Sequence, residues 1–238
     1  MSSSVYQRVL LKISGESLQG SRGHGYDPDA VASVVERVKE ALALGVEIAL
    51  VVGAGNLWRG LAGSKGGMDR VTADQMGMLA TAMNALCLKN AFTAAGVECV
   101  LHSAVAMEPF VSRYNLDEAL KQLDAHKLVI FACGTGSPYF TTDTTAALRA
   151  LETRSQALLK ATKVNGIYTA DPKKDPAAQR FETISFSEVL ARKLAVMDAA
   201  AFSLCSENNL HIVVFDFDEP GALVKVLTGD NSVGTVVS

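Results

Sequence analysis

Proline and tryptophan are scarce in this chain of 238 residues, at six and one, and its four cysteines show no pairing pattern. Cys87, Cys99, Cys133 and Cys205 lie far apart, with no CxxC pair and no metal-ligand spacing to His24, His102, His126 or His211. That excludes a thiolate metal centre and a disulfide scaffold, and predicts buried thiols in a reducing compartment. No apolar run reaches the roughly 18 residues of a membrane span, and the start, MSSSVYQRVLLK, lacks the apolar region of a signal peptide. The expectation is a cytoplasmic protein without membrane contact. Excess positive charge is also missing: a net charge of -3 and a pI near 5.8 argue against nucleic acid as a bulk electrostatic partner. Two common phosphate motifs are absent. No segment supplies GxxxxGK followed by Ser or Thr, and GxGxxG fails at Gly53, Gly55 and Trp58, where a third glycine is needed for close helix packing. With no linker, charge block or internal repeat, the chain reads as a single domain, 1–238.

What the chain does have is a threefold pattern. LLKISGES, VVGAGNLWRG and FACGTGSPYFTTD each run an apolar strand into a loop of Gly, Ser, Thr and Asn. If the three strands are parallel, all three loops open at the carboxyl edge of one sheet, where open α/β folds bind ligands. Glycine backbone there can wrap phosphate oxygens with N–H groups, because no Cβ blocks the approach. Lys12 and Arg59 add fixed positive charge in two of the loops. The ligand expected is phosphorylated.

The rest of the chain alternates strands and helices. Strands are expected at 6–13, 46–52, 97–101, 127–133, 157–164, 211–217 and 234–238. Helices are expected from Asp27 to before Gly45, and at 69–94, 116–125, 144–152, 186–193, 198–208 and 219–228. Asp27 caps the first helix with Pro28 in its first turn, and Val31, Val34, Val35, Val38, Ala41 and Leu42 form its inner face. Met76, Leu79, Met83 and Leu86 make a stripe on the long second helix, read as core, with a subunit interface as the alternative. The alternation predicts an α/β fold: a mostly parallel sheet with helices on both faces.

Taken singly, the polar residues are ambiguous. Lys12 alone is a surface lysine at a strand end, Asp143 alone is a helix N-cap, and TADPKKDP alone is an Asp-Pro turn with a solvated tip. The Ser-Gly-Glu-Ser that follows Lys12, and Arg59 in a sister loop, turn Lys12 into a phosphate ligand.

Six motifs occur in order: K-x-S-G-E from Lys12, G-x-G-N-x-x-R-G from Gly53, D-x-M-G-M-L-A-T at Asp74–Thr81, G-T-G-x-P-x-F-T-T-D at 134–143, K-A-T-K-V-x-G-x-Y-T-A-D-P at 160–172 and V-M-D-x-A-A-F at 196–202. Together they resemble the bacterial uridylate (UMP) kinases of the amino acid kinase family over essentially the whole chain. The resemblance implies a three-layer αβα sandwich, a homohexamer, and phosphate transfer from ATP, with Mg²⁺ bound to it, to UMP. It further implies GTP activation and UTP inhibition. Position by position, it assigns Lys12, Ile13, Ser14 and Gly15 to the ATP phosphates, with Gly55 and Arg59 on the same side. Thr162, Tyr168 and Asp171 fall to the adenosine part. Ala54 matches a backbone contact to UMP, Asp74 the ribose, and the run Thr135, Gly136, Ser137, Pro138, Tyr139, Phe140, Thr141 and Thr142 the nucleotide and its base. Asp143 and Asp198 match acidic positions near the reacting phosphates, expected to orient Lys12 rather than act as bases. The segment Gly20, Ser21, Arg22, Gly23, His24 and Gly25 aligns with the loop used in GTP activation. Ala54 departs from a usual glycine, and Thr93, Val100 and Lys127 stand where some relatives carry basic residues at the GTP site. Two other readings share the ATP half: a kinase for aspartate, glutamate or carbamate, and a nucleotide-binding storage or regulatory protein without catalysis.

The chemistry agrees with such a role. The second pKa of a nucleoside monophosphate is near ~6, so UMP is largely dianionic at neutral pH and already a nucleophile. What opposes reaction is repulsion between two polyanions, met by cations, amide donors and Mg²⁺ along an in-line path. The absence of a Ser-His-Asp or Cys-His constellation is then expected.

Overall fold

A computed structural model describes residues 4–58, 67–172, 174, 175 and 177–238. Among the described residues nine strands form one sheet: β1 (Arg8–Ile13), β2 (Glu47–Val52), β3 (Cys99–Ser103), β4 (Ser112–Arg113), β5 (Leu128–Ala132), β6 (Ala157–Thr162), β7 (Thr183–Ile184), β8 (His211–Asp216) and β9 (Gly234–Val237). Their spatial order is β4-β3-β5-β2-β1-β6-β8-β9-β7. Every pairing is parallel except β8 with β9, which is antiparallel.

The helices are α1 (Pro28–Leu42), α2 (Arg70–Ala94), α3 (Leu116–Asp124), α4 (Thr142–Glu152), α5 (Phe186–Ala191), α6 (Ala199–Glu207) and α7 (Ala222–Leu227). Alternate strand residues feed two separate cores. Val9, Leu11 and Ile13 of β1 and Ile48, Leu50 and Val52 of β2 pack with α1, α2 and α7 on one face. Leu10, Ala49 and Val51 turn to the other face, against α3, α4, α5 and α6. This is the three-layer αβα sandwich, and its central strands are apolar on both sides because both sides are covered. All six positions of β2 are buried.

The caps follow the sequence. The Asp27 side chain accepts from the N–H groups of Asp29 and Ala30, and Asp69 accepts from Thr72 at the start of α2. Two features differ from expectation. The short edge strands β4 and β7 have only two residues each, too few to leave an alternating pattern. The stripe on α2 is not core: Met76 is 37% exposed, Leu79 53%, Met83 55% and Leu86 38%. Their helical spacing gave an apolar face correctly, but α2 buries a different one, with Ala73, Ala80, Ala85, Leu88 and Phe92. Among the cysteines, Cys133 and Cys205 are buried and Cys87 and Cys99 only partly so; all four are free.

Candidate active site

Three loops leave the carboxyl ends of β1, β2 and β5 along one edge of the sheet. The first two are in direct contact. A Cβ on Gly15 would sit 2.5 Å from the Gly53 carbonyl oxygen and from Asn56 Oδ1, and 2.8 Å from the Gly55 nitrogen, so only glycine fits. The Gly53 N–H donates to the Ile13 carbonyl at 3.0 Å. Ile13 is fully buried, which confines anything it offers a nucleotide to its backbone. Ser14 caps a 3-10 turn, Gly15–Leu18, by accepting from the Glu16 N–H. Glu16 lies 3.2 Å from Lys163 Nζ, and a Cβ on Gly55 would be 3.3 Å from its Cγ. Ala54, the departure from glycine, stays out of the positive-φ region, so its methyl is accommodated without strain. Arg59 lies outside the described residues.

At the floor of this edge Asp143 stands between two lysines. Lys12 Nζ is 2.9 Å from its Oδ1 and Lys160 Nζ 2.6 Å from its Oδ2. The two lysines are register partners on adjacent parallel strands, β1 and β6, which is why both ammonium groups reach one carboxylate. Lys160 also donates to the Val196 carbonyl at 2.5 Å. Burial pushes the Asp143 carboxyl up, but the nearby Lys12 and Lys160 charges outweigh it and hold the group below the ordinary carboxylate value. The N-cap of α4 is Thr141, whose hydroxyl accepts from the N–H groups of Asp143 and Thr144. Neither Asp143 nor Thr142 is the cap.

Asp198 is placed differently from expectation. Its carboxylate accepts from the hydroxyls of Thr141 and Thr144 and from the Ala201 N–H, so it caps α6 and ties that helix to α4. Among the described residues it makes no contact with Lys12; that position belongs to Asp143. Cys205 feels both acids: burial, then the Asp143 and Asp198 charges, push its thiol up to about 12, leaving it protonated.

Beside the floor opens a pocket of about 170 Å³, walled by Ala54 and Trp58 from the second loop, by Ala73, Asp74, Gly77, Met78 and Thr81 from α2, and by Gly134, Thr135, Ser137, Phe140, Thr141 and Thr142 from the third loop. Gly136, Pro138 and Tyr139 are not part of that wall. Asp74 Oδ2 accepts from Arg70 Nε and from the Tyr139 N–H, both at 2.8 Å. The third loop bends sharply to do this, with Cys133, Gly134, Gly136 and Tyr139 all at positive φ. The Trp58 indole N–H donates to the Ala73 carbonyl at 2.8 Å, holding one wall.

The adenosine candidates lie in and after β6. Thr162 Oγ1 donates to the Val164 carbonyl at 2.6 Å, Tyr168 Oη donates to Asn165 Oδ1 at 2.6 Å, and Asp171 lies 3.7 Å from Lys174 Nζ. Of Gly20–Gly25, the first three residues form a 3-10 turn, and Gly25 pairs with Asn56. A separate pocket of about 330 Å³ is lined by Thr93, Val100 and Lys127, among others, and by none of Gly20–Gly25. Its lysine pairs with Glu98 at 3.1 Å.

Lys160 was not assigned from the sequence, although a lysine inside the apolar run ALLKAT is a visible signal. Asn56 and Asn84 were missed as well, and a polar residue on the buried face of an apolar helix is the corresponding clue for Asn84.

Comparisons with known proteins bear on the family and the fold. The model of the amino acid kinase family matches residues 7–216. A uridylate kinase of Porphyromonas gingivalis is 51% identical over 234 residues, 98% of this chain and 98% of that protein. The UMP kinase structure from Bacillus anthracis superposes with a TM-score of 0.95 at 34% identity, covering 98% of this chain and 96% of that one. The UMP kinase from Ureaplasma parvum gives 0.92 at 39% identity, with 98% of each chain covered.

Proposed function

The chain belongs to the amino acid kinase family, and from that premise we propose that it is a UMP kinase, moving the terminal phosphoryl group of ATP to UMP to give ADP and UDP for pyrimidine nucleotide synthesis. The observation that carries the reading is the Lys12–Asp143–Lys160 centre set directly beside a pocket walled by Asp74 and the third loop.

Lys12 and Lys160 supply positive charge where the transferred phosphoryl group carries its negative charge, and Asp143 keeps both ammonium groups aimed. Because the acceptor phosphate is already ionised, no residue has to remove a proton. Ser14, Gly15, Gly55 and Arg59 attend the ATP phosphates, and Thr162, Tyr168 and Asp171 the adenosine. Asp74 accepts from the UMP ribose, its two protein contacts both falling on Oδ2. Thr135–Thr142 receive the base. Among the described residues no three His, Cys, Asp or Glu side chains gather to hold a metal, and Asp143 is engaged by two ammonium groups. Mg²⁺ would come with ATP and neutralise phosphate charge, in keeping with its reluctance to give up water.

The exposed apolar stripe of α2 supports assembly of several copies, with the homohexamer as the reading, checked by light scattering. GTP activation and UTP inhibition, and a cytoplasmic location, remain part of the same reading. The continuous sheet supports one domain, with UMP toward its amino-terminal half and ATP toward its carboxyl-terminal half. A coupled assay of ADP release with UMP, CMP and dUMP as acceptors tests the function. UMP-dependent ADP release is expected, and its absence, or equal release with carbamate or an amino acid, would discard the reading.

A further inference from the structure

Beneath the first two glycine loops lies a pair of buried side-chain amides that phosphate chemistry does not touch. Asn84, on the inner face of α2, is fully buried, and Asn56, in the second loop, is 3% exposed. They face each other reciprocally: Asn84 Nδ2 donates to Asn56 Oδ1 at 2.7 Å, and Asn56 Nδ2 donates to Asn84 Oδ1 at 3.1 Å. Each also reaches a glycine carbonyl. Asn84 Nδ2 donates to Gly53 O at 2.7 Å, and Asn56 Nδ2 to Gly25 O at 2.9 Å. Asn56 Oδ1 occupies the space a Gly15 Cβ would need. The pair therefore joins α2, the Gly20–Gly25 segment, the second loop and the first loop through two side chains.

Packing alone does not call for amides here. Burying them costs free energy unless every donor and acceptor is matched, and here the match extends beyond the pair to the Gly53 and Gly25 carbonyls. What apolar residues cannot do is orient the Gly53 carbonyl, and with it the peptide groups of Gly53–Gly55 against Gly15. We propose that Asn84 and Asn56 are positioning residues for phosphoryl transfer: a buried amide clamp that fixes the spacing of the two glycine loops and so holds the donor and acceptor phosphates in line. The proposal rests on the UMP kinase reading. It uses the steep dependence of rate on alignment, where a shift of about 1 Å costs about 10²-fold.

The test is steady-state kinetics of Asn84→Leu and of the double variant Asn56→Leu/Asn84→Leu, with both substrates varied and folding followed by circular dichroism and thermal melting. A fall in kcat on the order of 10²-fold is expected, larger than any change in KM for UMP, because the ribose and base contacts lie elsewhere. A folded variant that keeps kcat within twofold of wild type overturns the clamp. Should leucine prevent folding, Asn84→Asp decides. It keeps the shape of the side chain and removes the Nδ2 donor to Gly53 O. Its kcat should fall on the order of tenfold or more, and a kcat within twofold of wild type overturns the clamp. UMP-dependent ADP release by the wild-type enzyme, run alongside, separates failure of the clamp from failure of the UMP kinase reading.

Discussion

Asp143 and Asp74 are comparably buried carboxylates, with side chains 16% and 14% exposed, so what sets them apart is their partners. Asp143 spends both oxygens on ammonium groups carried by neighbouring strands of the rigid sheet. Asp74 sits on a helix and spends one oxygen on an arginine one turn away and on a backbone N–H of a sharply bent loop. The first arrangement fixes charge and suits a transition state. The second joins a pocket wall to a loop and suits recognition. Changes at the floor should therefore act on kcat, and changes at the pocket on the choice of acceptor.

The largest effect is expected in the pocket. Uracil presents an N3–H donor between two carbonyls, whereas cytosine presents an acceptor at N3 and an amino donor at C4. A site whose fixed groups hydrogen-bond the first leaves them opposed by the second, and such mismatches discriminate by about 10⁴-fold. CMP should be a very poor acceptor by kcat/KM. Thr142→Val should harm UMP use more than ATP affinity measured by calorimetry, because Thr141, not Thr142, caps α4. Comparable turnover of UMP and CMP would break the comparison at its recognition end.

Next comes Lys12→Ala, which removes an ammonium held 2.9 Å from Asp143. A loss in kcat on the order of 10²-fold or more is expected for an electrostatic donor of this kind, with the fold intact by circular dichroism. Wild-type kcat in the folded variant would remove Lys12 from the chemistry. Lys160→Met should follow with a loss of about tenfold or more in kcat, since its charge is shared with the Val196 carbonyl. An unchanged kcat would make Lys160 a structural lysine only.

A smaller effect concerns acid stability. The pKa of Asp143 is lower in the folded protein than its ordinary value, so its ionised form contributes stability above the unfolded pKa, and that contribution is lost as pH falls through the folded one. Wild type should therefore lose melting temperature more steeply than Asp143→Asn below about pH 4, near the unperturbed carboxylate value. Parallel acid limbs would show that the ion pairs add no stability.

Much of this arrangement was legible because it is written locally. Asp27, Pro28 and the valines of α1, and the strand-to-glycine-loop junctions, carry their signals within a few residues. What was not legible depends on register and facing. The Lys12–Lys160 neighbourhood requires knowing that β1 pairs with β6, residues separated by most of the chain. Asp198 and Asp143 look alike in sequence, each near a helix start, and only the fold shows one capping a helix and the other between lysines. The stripe on α2 had the right period, but period alone does not say which face meets the sheet.

The contrast between floor and pocket is tested most directly by Asp143→Asn and Asp74→Asn measured side by side, with kcat and KM determined for UMP and dUMP. A carboxylate that accepts from the 2′-hydroxyl is left unpaired by the deoxy sugar, so the wild type should prefer UMP strongly. Asp143→Asn should lose kcat on the order of 10²-fold while keeping that preference, and Asp74→Asn should lose most of the preference while keeping more of its kcat. The account is contradicted if the two variants lose rate and selectivity in the same proportion, or if the wild type uses dUMP as well as UMP.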